Sequence, residues 1–127
     1  MIEITEEIIK KIILENEFEF ISTHHKLSLS VINRIYRKMK NGIKFEVIKV
    51  NGSLIIDGHH RYISSKLAEN EIGNMNYPKS SATIEYSWNV VKFVNEEWDT
   101  IDKIHHLNEL DAEYNNIPLE KMIEITK

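Results

Sequence analysis

The run Asp57-Gly58-His59-His60-Arg61 brings a carboxyl group, a residue without a side chain, two imidazoles and a guanidinium together. The apolar stretch Leu54-Ile55-Ile56 precedes it, and helical spacing through Ile63 and Leu67 follows. Strand, turn and helix in that order place unpaired backbone N–H groups and the positive end of a helix dipole among these side chains. Such a junction suits an anion, phosphate above all. Gly58 lets a phosphate come close to the main chain, and Arg61 offers a permanent charge on a planar fork of donors. His59 and His60 titrate near neutrality, so either could contact anionic oxygen or move a proton. Asp57 is suited to cap the N–H groups of residues 59 and 60, or to hold a metal or a histidine. Adjacent helical side chains point about 100° apart, so the two histidines divide the work. His59, four before Ile63, leans on the core and leaves His60 the more open. The bland alternative is an Asp-Gly turn with a capped helix and solvated polar side chains. Strand, glycine break and helix occurring together with three hydrogen-bonding side chains favour a ligand site.

Other chemistry-bearing residues are weighed the same way. Glu46 could hold Mg²⁺ or activate a nucleophile, although a strand carboxylate more often faces solvent. Asp99, Asp102, His105 and His106 fall at helical spacing, so Asp102 could share a metal with either histidine. No established ligand motif occurs among them, and exposed acids on an amphipathic helix explain them better. Arg34, Arg37, Lys38 and Lys40 read as the solvated outer face of a helix rather than a track for DNA. Trp88 and Trp98 read as core or partner-facing anchors rather than base-stacking platforms.

The elements that must position these groups follow from periodicity. Thr5 with Glu6 and Glu7 starts a helix whose apolar face is Ile8, Ile9, Ile12 and Ile13. Phe18 to Ile21 reads as a strand, and Ser22 to Lys26 as a polar turn. Ser28 or Ser30 caps a second helix with an inner stripe of Ile32, Ile35, Tyr36 and Met39, stopped at Asn41-Gly42. Residues 43–50 and 53–56 flank the hairpin signal Asn51-Gly52. Residues 59–69 are helical, 73–81 form a loop, and the alternation over 82–88 predicts a strand. A long helix runs from about Trp98 to Asn115-Asn116, and Ile117-Pro118 starts a short terminal one. The fold class is α+β, a small mixed sheet with packed helices in a single domain over 1–127.

Composition bounds the function. The chain has 127 residues, 42% apolar and 28% charged, as in an ordinary globular domain. No apolar run reaches membrane-spanning length and residues 1–15 lack a secretory pattern, so no membrane partner and a cytoplasmic location are expected. Cysteine is absent, which excludes disulfides, thiolate nucleophiles and cysteine-type zinc sites. A formal charge of −4 argues against a broad nucleic-acid-binding surface.

Asp57-Gly58-His59-His60-Arg61-Tyr62, followed by Ser64, Lys66, Leu67 and Ala68, resembles the "DGHHRYxAAKLAG" signature of the ParB/sulfiredoxin-like superfamily. The likeness extends upstream over roughly residues 20–70. Ser30 to Gly42 is similar to its helix ending in a "K-x-G" turn, and Phe45 to Val50 to its "PIxV" strand, with Val47 at the usual proline. Thr23-His24 before a serine-capped helix is most similar to the ParB-like domains of bacterial polymorphic toxins. The superfamily includes CTP-hydrolysing partition proteins, sulfiredoxins, free-serine kinases and ParB-like nucleases. The resemblance implies a nucleotide or other phosphate at the strand–helix junction, bound by Gly58, His59, His60 and Arg61 with Asp57 in support. It brings the turn at His24 near that site, so His24 could act as general base and Lys26 as a second phosphate contact, although a plain polar loop accounts for His24 equally well and for His25 and Lys26 better. Sulfiredoxin chemistry lacks its cysteine here, and 127 residues leave no room for a partition protein's helix-turn-helix domain.

The expected activity is hydrolysis or transfer of a phosphate of ATP or a related nucleotide. In it Arg61 and His60 stabilise charge, His24 or else Glu46 positions the attacking group, and Mg²⁺ comes partly held by substrate oxygens. The alternatives are a DNA-cleaving toxin domain and a nucleotide-sensing or protein-binding module without turnover. As a toxin it would reach a target cell's cytoplasm and meet a cognate immunity protein.

Overall fold

The computed structural model describes residues 2–127 as an α+β arrangement of five helices and two small sheets. Helix α1 spans Glu6–Glu15, strand β1 Lys26–Ser28 and helix α2 Leu29–Lys40. Strands β2 (Ile48–Asn51) and β3 (Leu54–Asp57) form the hairpin and lead into helix α3 (His59–Ala68). Strands β4 (Asn74–Asn76) and β5 (Lys92–Val94) precede helices α4 (Ile101–Tyr114) and α5 (Leu119–Ile125). Thr5, Ser28 and Thr100 cap α1, α2 and α4 through their hydroxyls, as small polar residues at that position do. No helix among the described residues is long and apolar enough to cross a membrane.

The larger sheet has the order β3-β2-β4 and is mixed, with β2 antiparallel to β3 and parallel to β4. The smaller one pairs β1 with β5 in parallel. Helix α2 packs on α3, and Leu27, Ile32, Ile48, Ile55, Ile63 and Val91 are among the fully enclosed core residues. A second small cluster, Ile43, Ala112 and Met122, holds α4 and α5. The site's scaffold is therefore β3 and α3, with the segment leading into β1 laid across them.

Three expected strands are absent or shortened. Phe18–Ile21 forms a single bridge, Ile21 to Leu54. The Phe20 N–H instead donates to the Tyr62 hydroxyl (3.3 Å), and its carbonyl accepts from Trp88 Nε1 (2.8 Å). Residues 43–47 leave the ladder because Lys44 bonds through both backbone groups to the Asn115 amide, at 2.6 and 3.0 Å. Residues 82–88 keep one bridge, Tyr86 to Ser22. Conversely, β4 lies inside the expected loop, β1 begins within the expected polar turn, and β5 has no counterpart among the expected strands.

Candidate phosphate site

Strand β3 becomes helix α3 at Gly58, whose φ of 99° lies in the left-handed region. A Cβ there would stand 2.7 Å from Ile48 Cγ2 and 2.8 Å from Arg61 Nη2, so both backbone conformation and space require glycine. Among the described residues no side chain caps this helix, and the Tyr62 N–H bonds back to the Gly58 carbonyl at 2.9 Å. The N–H groups of His59, His60 and Arg61 are thus left without a side-chain cap. Asp57, expected to cap them, does not. It is still a strand residue, one position too early, and its carboxylate is largely exposed, 4.0 Å from Arg61 Nη2.

Both histidines of α3 turn their Nε2 atoms onto the backbone of residues 22–28. His59, 3% exposed, accepts from the Thr23 N–H at 3.0 Å. His60, partly buried, accepts from the Ser28 N–H at 3.0 Å. A backbone N–H can only donate, so each ring is neutral with its proton on Nδ1. Burial is the main cause that holds His59 down to about 3 and His60 down to about 4, with the His24 ring adding to both shifts. His59 leans on the core as its spacing predicts. His60 is less open than expected, because its Nε2 is occupied and only its Nδ1–H can face a ligand.

His24 is the exposed imidazole of the group. Its ring lies against that of His59, centroids 4.1 Å apart. Its main chain is fixed by Ser22 Oγ, which accepts from the His24 N–H (3.0 Å) and donates to its carbonyl (2.6 Å). Partial burial lowers its pKa, opposed by the Asp57 carboxylate and aided by His25. His25 instead sits 5.7 Å from the Tyr86 ring, and Lys26 Nζ is 3.5 Å from Glu96.

Arg61 folds back over Gly58. One Nη2 hydrogen bond reaches the Val47 carbonyl at 3.3 Å, and its Nε is buried with no partner among the described residues. Together with His24, Asp57, His60, Trp98 and Lys103 it lines a cavity of about 440 Å³ at the start of α3. Glu46 lies in the non-strand segment before β2, is exposed, and lines a separate cavity that Arg61 also borders but His24 does not. The structure thus brings His24 to the 57–61 junction and leaves Glu46 on a different cavity, to which Arg61 alone of residues 57–61 contributes.

Sequence alone does not single out Trp98 and Lys103 as site residues, nor Thr23 and Ser28 as the partners of the two histidines. Ser28 is legible only as a cap. Its backbone and hydroxyl bonds join β1, α2, α3 and the segment before α4. Among the described residues, the acids before and within α4 do not gather into a metal-capable group of three. Asp99 precedes the Thr100 cap and accepts from Arg34 Nη2 (2.9 Å) and Lys103 Nζ (3.0 Å). His105 lies 3.5 Å from Glu109, and Asp102 and His106 are exposed.

The basic face of α2 also differs from expectation. Lys38 is 4% exposed, with Nζ 2.7 Å from Asp111. Arg34 pairs with Glu97 and Asp99, and its hydrogen bonds hold the Glu97 carboxyl below the usual range. Helix α4 and the segment before it bring the acids that turn half of this face inward. Comparison of the chain with protein-family models, curated proteins and solved structures found no match.

Proposed function

We propose that this chain is a ParB/sulfiredoxin-like enzyme that hydrolyses or transfers a phosphate of ATP or a related nucleotide at the N-terminus of α3. The observation that carries this reading is the uncapped start of α3 beside the Arg61 guanidinium, opening on a cavity shared with His24 and Lys103. In this mechanism the N–H groups of His59, His60 and Arg61 receive phosphate oxygens. Arg61 and Lys103 supply positive charge where negative charge builds up on the transferred phosphoryl group. His24, its pKa lowered, is neutral near pH 7 and takes a proton from water as the water oxygen bonds to phosphorus and the bond to the leaving phosphate breaks. His59 and His60 act as positioning residues, because they hold the segment that carries His24.

The donor set does not fit a resident Mg²⁺. The carboxylates on this cavity are Asp57 and Asp99, and Asp99 is taken by Arg34 and Lys103. The cation enters with the nucleotide and belongs to the substrate. Glu46 ranks behind His24 because it lies on another cavity. The nuclease alternative has less support, since Arg34 and Lys38 are paired within the chain. The likeness to toxin-borne domains extends the reading to an effector neutralised by an immunity protein. Growth arrest on expression, relieved by Arg61→Ala, is its expected sign.

The direct test is phosphate release from ATP, ADP, CTP and GTP with Mg²⁺, alongside plasmid degradation. Release should fall by about 10²-fold or more in Arg61→Ala. Nucleotide-dependent thermal stabilisation without product would identify a binding module, and plasmid cleavage without nucleotide turnover would identify the nuclease.

A further inference from the structure

Next to the phosphate cavity lies a second one of about 480 Å³, and His24 and Trp98 line both. Its volume falls within the range of about 300–1,000 Å³ usual for small-molecule sites. Its walls include the apolar side chains Ile56, Ala82 and Ile84, the aromatic ring of Tyr86 and the hydroxyls of Ser80 and Thr83, with no carboxylate and one ammonium, that of Lys26, 3.5 Å from Glu96. A flat body with a polar edge fits such walls, whereas a cation finds no carboxylate to pair with and an anion meets only an ammonium already engaged by Glu96.

Trp98 is 40% exposed, yet the residues around it are fixed. Glu96 accepts from the Ser28 hydroxyl through its carbonyl and pairs with Lys26 through its carboxylate. Glu97 and Asp99 are both held by Arg34. The indole meets the His60 ring edge-on at 5.3 Å and 88°. A large aromatic surface left open to solvent while its flanks are pinned on both sides is a preformed stacking surface.

Resting on the phosphate reading, we infer that the ligand is a nucleoside phosphate whose base occupies this second cavity against Trp98, its phosphates reaching past His24 to α3. The hydroxyls of Ser80 and Thr83 can donate or accept, so purines and pyrimidines are both admitted and selectivity among them is low.

Equilibrium binding of ATP, CTP and inorganic tripolyphosphate to wild type, Trp98→Ala and Trp98→Phe tests this. Both nucleotides should bind wild type about tenfold or more tighter than tripolyphosphate, as base stacking provides. Trp98→Ala should remove that advantage and Trp98→Phe should keep most of it, read as the ratio of nucleotide to tripolyphosphate affinity on the same variant, because Trp98 also lines the phosphate cavity. Equal binding of nucleotides and tripolyphosphate by the wild type, untouched by Trp98→Ala, overturns the base site and leaves the phosphate reading standing. Absence of binding by all three ligands overturns both.

Discussion

Gly58 is the residue on which the site's geometry turns most directly. Replacing it with alanine forces a side chain into the left-handed region, which disfavours L-residues by roughly 1–2 kcal/mol. It also drives a Cβ against Ile48 and the Arg61 guanidinium, at 2.7 and 2.8 Å. Gly52 supplies the control, with φ at +59° and no atom within 4 Å of where a Cβ would stand. Gly52→Ala should lower stability by about 1 kcal/mol through backbone strain alone. Gly58→Ala should lose at least twice as much, and tripolyphosphate affinity with it. Urea midpoints and phosphate binding of the two variants side by side check this. Equal losses would mean that the approach of Arg61 to Gly58 has no energetic weight.

Among the elements, α4 is tied to α2 by charge. The Lys38 ammonium is 4% exposed and its partner is Asp111, so removing the carboxylate leaves a buried charge unpaired. Asp111→Ala should destabilise by about 3–5 kcal/mol, and hydrogen exchange should rise along α4. Lys38→Met together with Asp111→Leu should recover most of that loss, because apolar replacement of both partners removes the desolvation penalty. A double variant as unstable as Asp111→Ala would contradict this account. This pair also shows why some of the molecule was legible in its sequence and some was not. Caps, helical stripes and the Asn51-Gly52 turn are local signals, and they placed α1 to α5 and the hairpin. The parallel pairings of β1 with β5 and β2 with β4 join strands of three or four residues far apart in the chain, too short to show a period. The Lys38 position reads as an outer helix face until α4 arrives to cover it. At the site, the residue types at 57–61 announce a helix start beside polar groups. The tasks of His59 and His60 were hidden because their hydrogen-bond partners, Thr23 and Ser28, lie more than thirty residues earlier.

For the whole molecule, those two histidines make stability depend on pH. In the folded state His59 is held down to about 3 and His60 to about 4, against about 6.5 in an unfolded chain. Between these limits the unfolded state binds more protons, so stability is complete above about pH 6.5 and falls as pH drops. Each ring contributes up to ~1.4 kcal/mol per pH unit, or roughly 2 kcal/mol by pH 5. That is a large fraction of the ~5–15 kcal/mol that holds a typical domain folded. Protonation at Nε2 also ends the bonds to Thr23 and Ser28, which releases the segment that carries His24 from α3. Unfolding midpoints in urea should therefore decline steadily from pH 6.5 to about 5.3, above the range in which ordinary carboxylates titrate. His60→Gln separates the two rings, because a glutamine oxygen can accept from the Ser28 N–H but does not titrate. Whatever its stability at pH 7.5, this variant should show a clearly weaker dependence on pH than the wild type across that interval, with the share of His59 and the smaller one of His24 remaining. An unchanged slope would mean that His60 does not gain its proton on unfolding, and that the clamp of α3 on β1 is not what acid releases.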